Sequence, residues 1–173
     1  MQSQTLTFEP LTAAQAEELY PVLTTPAVLA WIEPPGYRPT LEEFRADYAL
    51  RARGFLPGAP TASWFNVVIR LKEPPAPAIG RLEAACWGEW GEVAYLLGEA
   101  WWGRGLAFEA MSWWQEYLAV AAPGTEWWAA VHPENSRSLR LLARLGWEEQ
   151  PRSQAPNLGS YDPGDTLLRS KRR

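Results

Sequence analysis

The sequence predicts an α/β fold (α+β in its segregation) on a mixed central sheet, and three observations carry that prediction. Short runs such as "TLTF" (residues 5–8) and "SWFNVVIR" (63–70) are rich in β-branched and aromatic residues or alternate in polarity, as half-buried strands do. Longer segments such as "LTAAQAEELYPVL" (11–23) and "LAFEAMSWWQEYLAVA" (106–121) repeat apolar residues at helical spacing. Turn residues separate the two kinds, so the order along the chain is roughly β α α β β β α β α β. This corresponds to about six or seven strands and about four helices.

Each element follows from its local chemistry. Thr12 is the expected N-cap of the first helix, whose contacts are Leu11, Leu19 and Leu23. "EPPGYRP" breaks the chain, and Thr40 with Glu43 forms a capping-box signature for a helix over residues 41–53 that Gly54 ends. The runs 63–70 and 78–87 flank the proline-rich "LKEPPAPA", a hairpin with a stiff loop. "GEWG" turns into "EVAYLL" (92–97), giving three consecutive antiparallel strands. A helix over 106–121 presents Ala110, Trp113 or Trp114, Tyr117 and Val120 at helical spacing and stops at Pro123-Gly124. "EWWAAV" (126–131) is a further strand. "HPEN" then leads to a helix over 136–146 with Leu139, Leu142 and Leu145 at three-residue steps and Gly146 as C-cap. A short strand falls within the tail "SYDPGDTLLRS".

Composition bounds the function. A chain of 173 residues suits one domain spanning 1–173, with 47% hydrophobic and 21% charged residues. No apolar run reaches the ~18 residues of a membrane span, so no membrane partner is expected. The N-terminus lacks a signal-peptide pattern and Cys86 is the only cysteine, which points to the cytoplasm. A net charge of −4 gives no footprint for nucleic acid, and "RSKRR" reads as a solvated tail. The 11 tryptophans include the doublets Trp101-Trp102, Trp113-Trp114 and Trp127-Trp128. They serve either core and subunit packing, which allows a homodimer, or an aromatic-lined cleft.

The stretch "EVAYLLGEAWWGRGLAFEA" sets glycines between a strand and a helix, where free helix N–H groups attract an anion. A P-loop needs a lysine and a hydroxyl residue after its second glycine, and "GRGLAFEA" has neither. A dinucleotide fingerprint fits Gly103 and Gly105, but Phe108 stands at its third glycine, and the preceding strands read as antiparallel.

From Ile79 to Trp147 the chain resembles the GNAT superfamily of acyl-CoA N-acyltransferases, in particular its ribosomal-protein N-terminal acetyltransferase-like branch. "WGRGLA" is similar to the family's pyrophosphate loop (Gln/Arg)xxGx(Gly/Ala), with Gly105 and Ala107 on the small positions and Trp102 in place of Gln or Arg. "WGRGLAFEA" resembles a run common in that branch, with Phe108 where a small hydroxyl residue is frequent. "VHPENSRSLRLLARLGW" resembles the NxxSxxxxxxxGF segment through Asn135, Ser138, Gly146 and Trp147.

The resemblance implies a GNAT fold and an acetyl-CoA-dependent N-acetyltransferase, with acetyl-CoA as cosubstrate and no metal. Direct attack by a primary amine then needs a base, an oxyanion donor and alignment, not a covalent nucleophile. The implied cofactor-binding residues are Leu97, Trp102, Gly103, Arg104, Gly105, Leu106, Ala107, Asn135 and Ser138, with the Leu97 N–H as oxyanion donor. Glu92 is the expected base, His132 its competitor, and Glu83 and Glu89 weaker candidates. Ser138 is either a capping partner of Asn135 or the proton donor to the leaving thiolate. Cys86 reads as a small apolar strand residue. The acceptor class stays open among a protein N-terminus, a polyamine, an amino acid and an aminoglycoside. The alternative reading is a catalytically silent acyl-CoA-binding or protein-interaction module on the same fold.

Overall fold

The computed structural model describes residues 3–170, with Pro60 described for its backbone alone. Its strands are β1 (Leu6–Pro10), β2 (Phe55–Leu56), β3 (Ala59–Leu71), β4 (Ala78–Cys86), β5 (Trp90–Leu97), β6 (Glu126–Val131), β7 (Glu148–Gln150) and β8 (Thr166–Arg169). The α-helices are α1 (Ala16–Leu23), α2 (Pro26–Leu29), α3 (Leu41–Arg51), α4 (Leu106–Ala121) and α5 (Ser136–Arg144).

The expected mixed α/β fold is present, and the described residues form eight strands and five α-helices against about six or seven and about four expected. The additions are short: β2 has two residues, β7 three and α2 four, and none is long enough to show a period. Thr12 caps a 3₁₀ turn over Ala13–Gln15, its amide donating to Gln15 Oε1 at 2.5 Å, and α1 starts three residues later than its sequence signal. The Thr40–Glu43 box forms as its spacing requires: Glu43 N–H donates to Thr40 Oγ1 at 3.2 Å and Thr40 N–H to Glu43 Oε2 at 2.7 Å.

The sheet order is β1-β3-β4-β5-β6-β8-β7, with β2 paired to β3. β3, β4 and β5 form the expected antiparallel meander. One face carries the main core, where Ile79, Val93 and Leu97 meet Ala110, Met111 and Trp114 of α4 and Leu142 of α5. The other face packs against α1 and α3 through Leu19, Leu23 and Tyr48. A third cluster joins Trp128 to Leu158 and Leu167.

The buried stripe of α4 runs through Leu106, Ala110, Met111, Trp114 and Leu118. It corrects the predicted stripe: Tyr117 is 39% exposed and Val120 83%, because the next tryptophan of the doublet, Trp114, sets the inward face. Trp113 stacks on Phe8 of β1 with centroids 3.8 Å apart. The basic tail is also corrected in part. Arg169 lies in β8 over the Trp128 ring and pairs with Glu126 at 3.5 Å, while residues 171–173 lie outside the described residues.

Candidate active site

The site starts where two parallel strands part. β5 and β6 pair only over Trp90↔Glu126, Gly91↔Trp127 and Glu92↔Trp128, after which both continue apart to Leu97 and Val131. The phase of β5 is set by the Gly98 N–H bond to Ile79 C=O at 2.9 Å. Bonded and non-bonded pairs alternate in an antiparallel ladder, so the Gly80↔Leu97 pair is non-bonded and the Leu97 peptide groups turn away from β4, towards the gap. Consistent with this, the Leu97 carbonyl accepts from Trp102 Nε1 at 2.8 Å. Its N–H faces an opening that no strand among the described residues fills.

The chain leaves β5 through a 3₁₀ turn over Glu99–Trp101 and reaches α4 through Gly103 at φ +73° and Gly105 at φ +78°. A Cβ at either glycine would meet nothing within 4 Å, so the requirement is conformational, not steric crowding. Gly105 is the N-cap of α4 and supplies no side-chain cap. The first helical bond is Glu109 N–H to Gly105 C=O, which leaves the Leu106, Ala107 and Phe108 amides pointing forward with the positive end of the helix dipole. Such an end accommodates a phosphate.

Three arginines surround this loop, each held over an aromatic ring: Arg104 over Trp101 at 5.2 Å, Arg137 over Trp102 at 4.9 Å and Arg144 over Phe108 at 4.6 Å. Trp102, at the position of the family's polar residue, thus locks β5 to the loop while Arg137 covers it. Arg137 and Arg144 were not singled out from the sequence. Their seven-residue spacing on α5 was the available signal.

At the start of α5 the Asn135 side chain accepts from Ser138 N–H at 3.2 Å, a cap for the helix. Ser138 Oγ lies 2.6 Å from Tyr95 Oη. Burial pushes the Tyr95 phenol up to about 12, against the pull of the Ser138 bond, so it is a neutral hydroxyl at physiological pH. Tyr95 is a residue that sequence reasoning missed, since an alternating strand does not announce its helix partner.

The two carboxylate and imidazole candidates do not meet there. Glu92, 9% exposed, accepts from Gly159 N–H at 3.0 Å, Ser160 N–H at 2.9 Å and the Ser160 hydroxyl, so it anchors the 159–160 turn. His132 is exposed, its Nδ1 accepts from Glu134 N–H at 3.2 Å, and its ring lies 6.0 Å from that of Trp31. Glu83 ion-pairs with Arg51 at 2.5 Å and accepts from Trp64 Nε1 at 2.9 Å. Burial alone would raise its carboxyl, but Arg81 and Arg51 hold it below its ordinary value. Glu89 is exposed in a turn, and Cys86 is buried in β4. On the α1 and α3 side of β5, next to the opening, Leu96 lines a cavity of about 280 Å³.

The acetyltransferase (GNAT) domain family model matches residues 5–148. No protein with curated annotation matches the sequence. Among solved structures, an acetyltransferase from Agrobacterium tumefaciens is similar at a TM-score of 0.74 and 21% identity, over 99% of this chain and 94% of that one. An acetyltransferase of the GNAT family from Bacillus anthracis matches at 0.72 and 16%, over 98% and 95%. The acetyltransferase AAC(6')-Ib, in complex with ribostamycin and coenzyme A, matches at 0.74 and 18%, over 98% and 94%. Among the described residues no helix is long and apolar enough to cross a membrane, and no group of three or more His, Cys, Asp or Glu could hold a metal ion.

Proposed function

Because the chain belongs to the GNAT acetyltransferase family, we propose that it moves an acetyl group from acetyl-CoA to a primary amine on a small molecule. The observation that carries this reading is the parting of β5 and β6 directly ahead of an uncapped, glycine-entered helix. Acetyl-CoA brings a thioester and a pyrophosphate. The amides of 106–108 and the arginines around the loop suit the pyrophosphate, and the open edge of β5 suits the acyl arm. The Leu97 N–H is the donor for the developing oxyanion.

The amine nitrogen forms the N–C bond, the C–S bond breaks, and the sulfur leaves with the electron pair and takes up the proton that the nitrogen releases. Ser138, backed by Tyr95, is the hydroxyl that hands the sulfur its proton. Glu92 and His132 each hold a neighbouring backbone amide with the atoms a base would use. The arrangement therefore favours an amine that attacks already neutral, with alignment as the chief contribution of the protein. The ribosomal-protein branch rests on the "WGRGLAFEA" run, and a cytoplasmic location is part of the same proposal.

Thermal-shift titration with acetyl-CoA, NAD and ATP, followed by amine-dependent release of free thiol, tests it. Acetyl-CoA should raise Tm most, since a ligand that binds only the folded state stabilises it by RT ln(1 + [L]/Kd). Binding without amine-dependent thiol release across a broad amine panel would leave the silent acyl-CoA-binding module instead.

A further inference from the structure

The peptide unit between Leu97 and Gly98 is held at both ends. Its amide donates to the Ile79 carbonyl of β4 at 2.9 Å, and its carbonyl accepts from Trp102 Nε1 at 2.8 Å. The first bond extends the pairing of β5 with β4. The second comes from a side chain, because the pairing of β5 with β6 stops at Glu92 and offers the Leu97 carbonyl no strand donor. A Cβ at Gly98 would stand 2.5 Å from Val22 Cγ1, so α1 also packs directly on this turn.

Trp102 is itself held. Its ring packs on the main core, and Arg137 lies over it with the guanidinium carbon 4.9 Å from the centroid. A cation on the face of the indole draws density from the ring and strengthens its N–H as a donor. Arg137 is also the neighbour of Ser138, whose hydroxyl meets Tyr95 on β5. The first turn of α5 thus reaches β5 twice, at Tyr95 through Ser138 and at Leu97 through Arg137 and Trp102. Tyr95 and Leu97 are two residues apart, so their peptide groups share one side of the strand.

We propose, resting on the acetyl-transfer reading, that Trp102 is a positioning residue for the oxyanion donor. By holding the Leu97 carbonyl it sets the direction of the Leu97 N–H, which leaves an extended strand on the same side. The bond to a developing oxyanion is directional, and a donor fixed in advance spares the reaction the cost of reorienting it. Trp102 therefore acts at the thioester carbonyl through Leu97, and the pyrophosphate is left to the amides of 106–108.

The test reads the carbonyl stretch of acetyl-CoA, labelled with heavy carbon at the carbonyl and bound at saturation to the full chain, by isotope-edited infrared spectroscopy. A hydrogen bond to the carbonyl oxygen lowers this frequency. Trp102→Phe, which keeps an aromatic ring but has no N–H, should raise it relative to wild type. Trp102→Gln, whose amide N–H has a similar reach, should keep it near the wild-type value. With whichever amine releases thiol fastest, Trp102→Phe should lower kcat about tenfold and leave KM for acetyl-CoA and its calorimetric Kd within about threefold. An unmoved stretch in Trp102→Phe, an equal shift in Trp102→Gln, or a loss of acetyl-CoA affinity of about tenfold or more overturns the proposal. If Trp102→Phe does not fold, Arg137→Ala, at an exposed position, must raise the stretch, and an unmoved one overturns the proposal. If the stretch responds as expected but no amine releases thiol, the role of Trp102 at the carbonyl stands and the acetyl-transfer reading falls. If acetyl-CoA does not bind wild type, both fall.

Discussion

Tyr95 Oη and Ser138 Oγ lie 2.6 Å apart, a hydroxyl pair that joins the free end of β5 to the first turn of α5. The contact ties β5 beyond its last pair with β6 to the helix that follows β6, and it orients the Ser138 hydroxyl.

Tyr95→Phe keeps the ring and its packing but removes the partner of the serine hydroxyl. Turnover should fall about tenfold or more, in line with the loss of one positioned proton-transfer group, while acetyl-CoA affinity changes little. Initial rates of thiol release over an acetyl-CoA series check this. A rise in the Michaelis constant alone would mean that Tyr95 only shapes the gap.

Gly105 adopts φ +78° with open space where a Cβ would stand, so substitutions there are penalised by the backbone and not by crowding. Gly105→Ala should cost about 1 kcal/mol, and Gly105→Val more and with it the acetyl-CoA-dependent rise in Tm. Arg104→Ala, which removes only an exposed side chain over Trp101, should retain most of that rise. Differential scanning fluorimetry with and without acetyl-CoA reads both effects.

Glu92→Gln turns an acceptor for three donors into a group that presents an NH₂ to the Gly159 and Ser160 amides. The expected loss is about 2 kcal/mol, or roughly 4–8 °C in Tm for a chain of this size. Turnover of the folded protein should stay within a few fold. A loss of ~10²-fold in turnover with Tm unchanged would restore Glu92 to the role of base.

Burial pushes the phenols of Tyr48 and Tyr95 up to about 12. The unfolded chain releases these protons near pH 10, so between pH 10 and 12 the native state binds more protons than the unfolded one and stability falls as pH rises. For Tyr48, fully buried, the shift from 10 to about 12 corresponds to about 3 kcal/mol. Among the described residues its hydroxyl has no hydrogen-bond partner, so Tyr48→Phe should raise stability at pH 7 by about 1 kcal/mol and remove the Tyr48 share of this alkaline loss. Urea unfolding at pH 7, 10 and 11.5 measures it.

The strands and helices that were legible in the sequence carry their own period or cap: the β3-β4-β5 meander, α3 with its Thr40–Glu43 box, and α5 with Asn135. The glycine loop was legible for a different reason, since Gly103 and Gly105 occupy a backbone region that other residues seldom adopt. What stayed hidden depends on distant partners. Nothing near Glu92 in the chain announces Ser160, and nothing near Tyr95 announces Ser138. The register of β5 could not be read either, although it decides which way the Leu97 N–H points.

β8 sits between β6 and β7 although it follows both in the chain. During folding, β7 therefore has no neighbour to join until the segment beyond it has returned, and the edge of β6 that carries Trp128 stays open until then. Closure over a separation of about forty residues is slow compared with forming the local β3-β4-β5 meander. An uncovered β6 edge offers unpaired backbone groups to a second molecule, so removal of Thr166–Arg169 should raise aggregation.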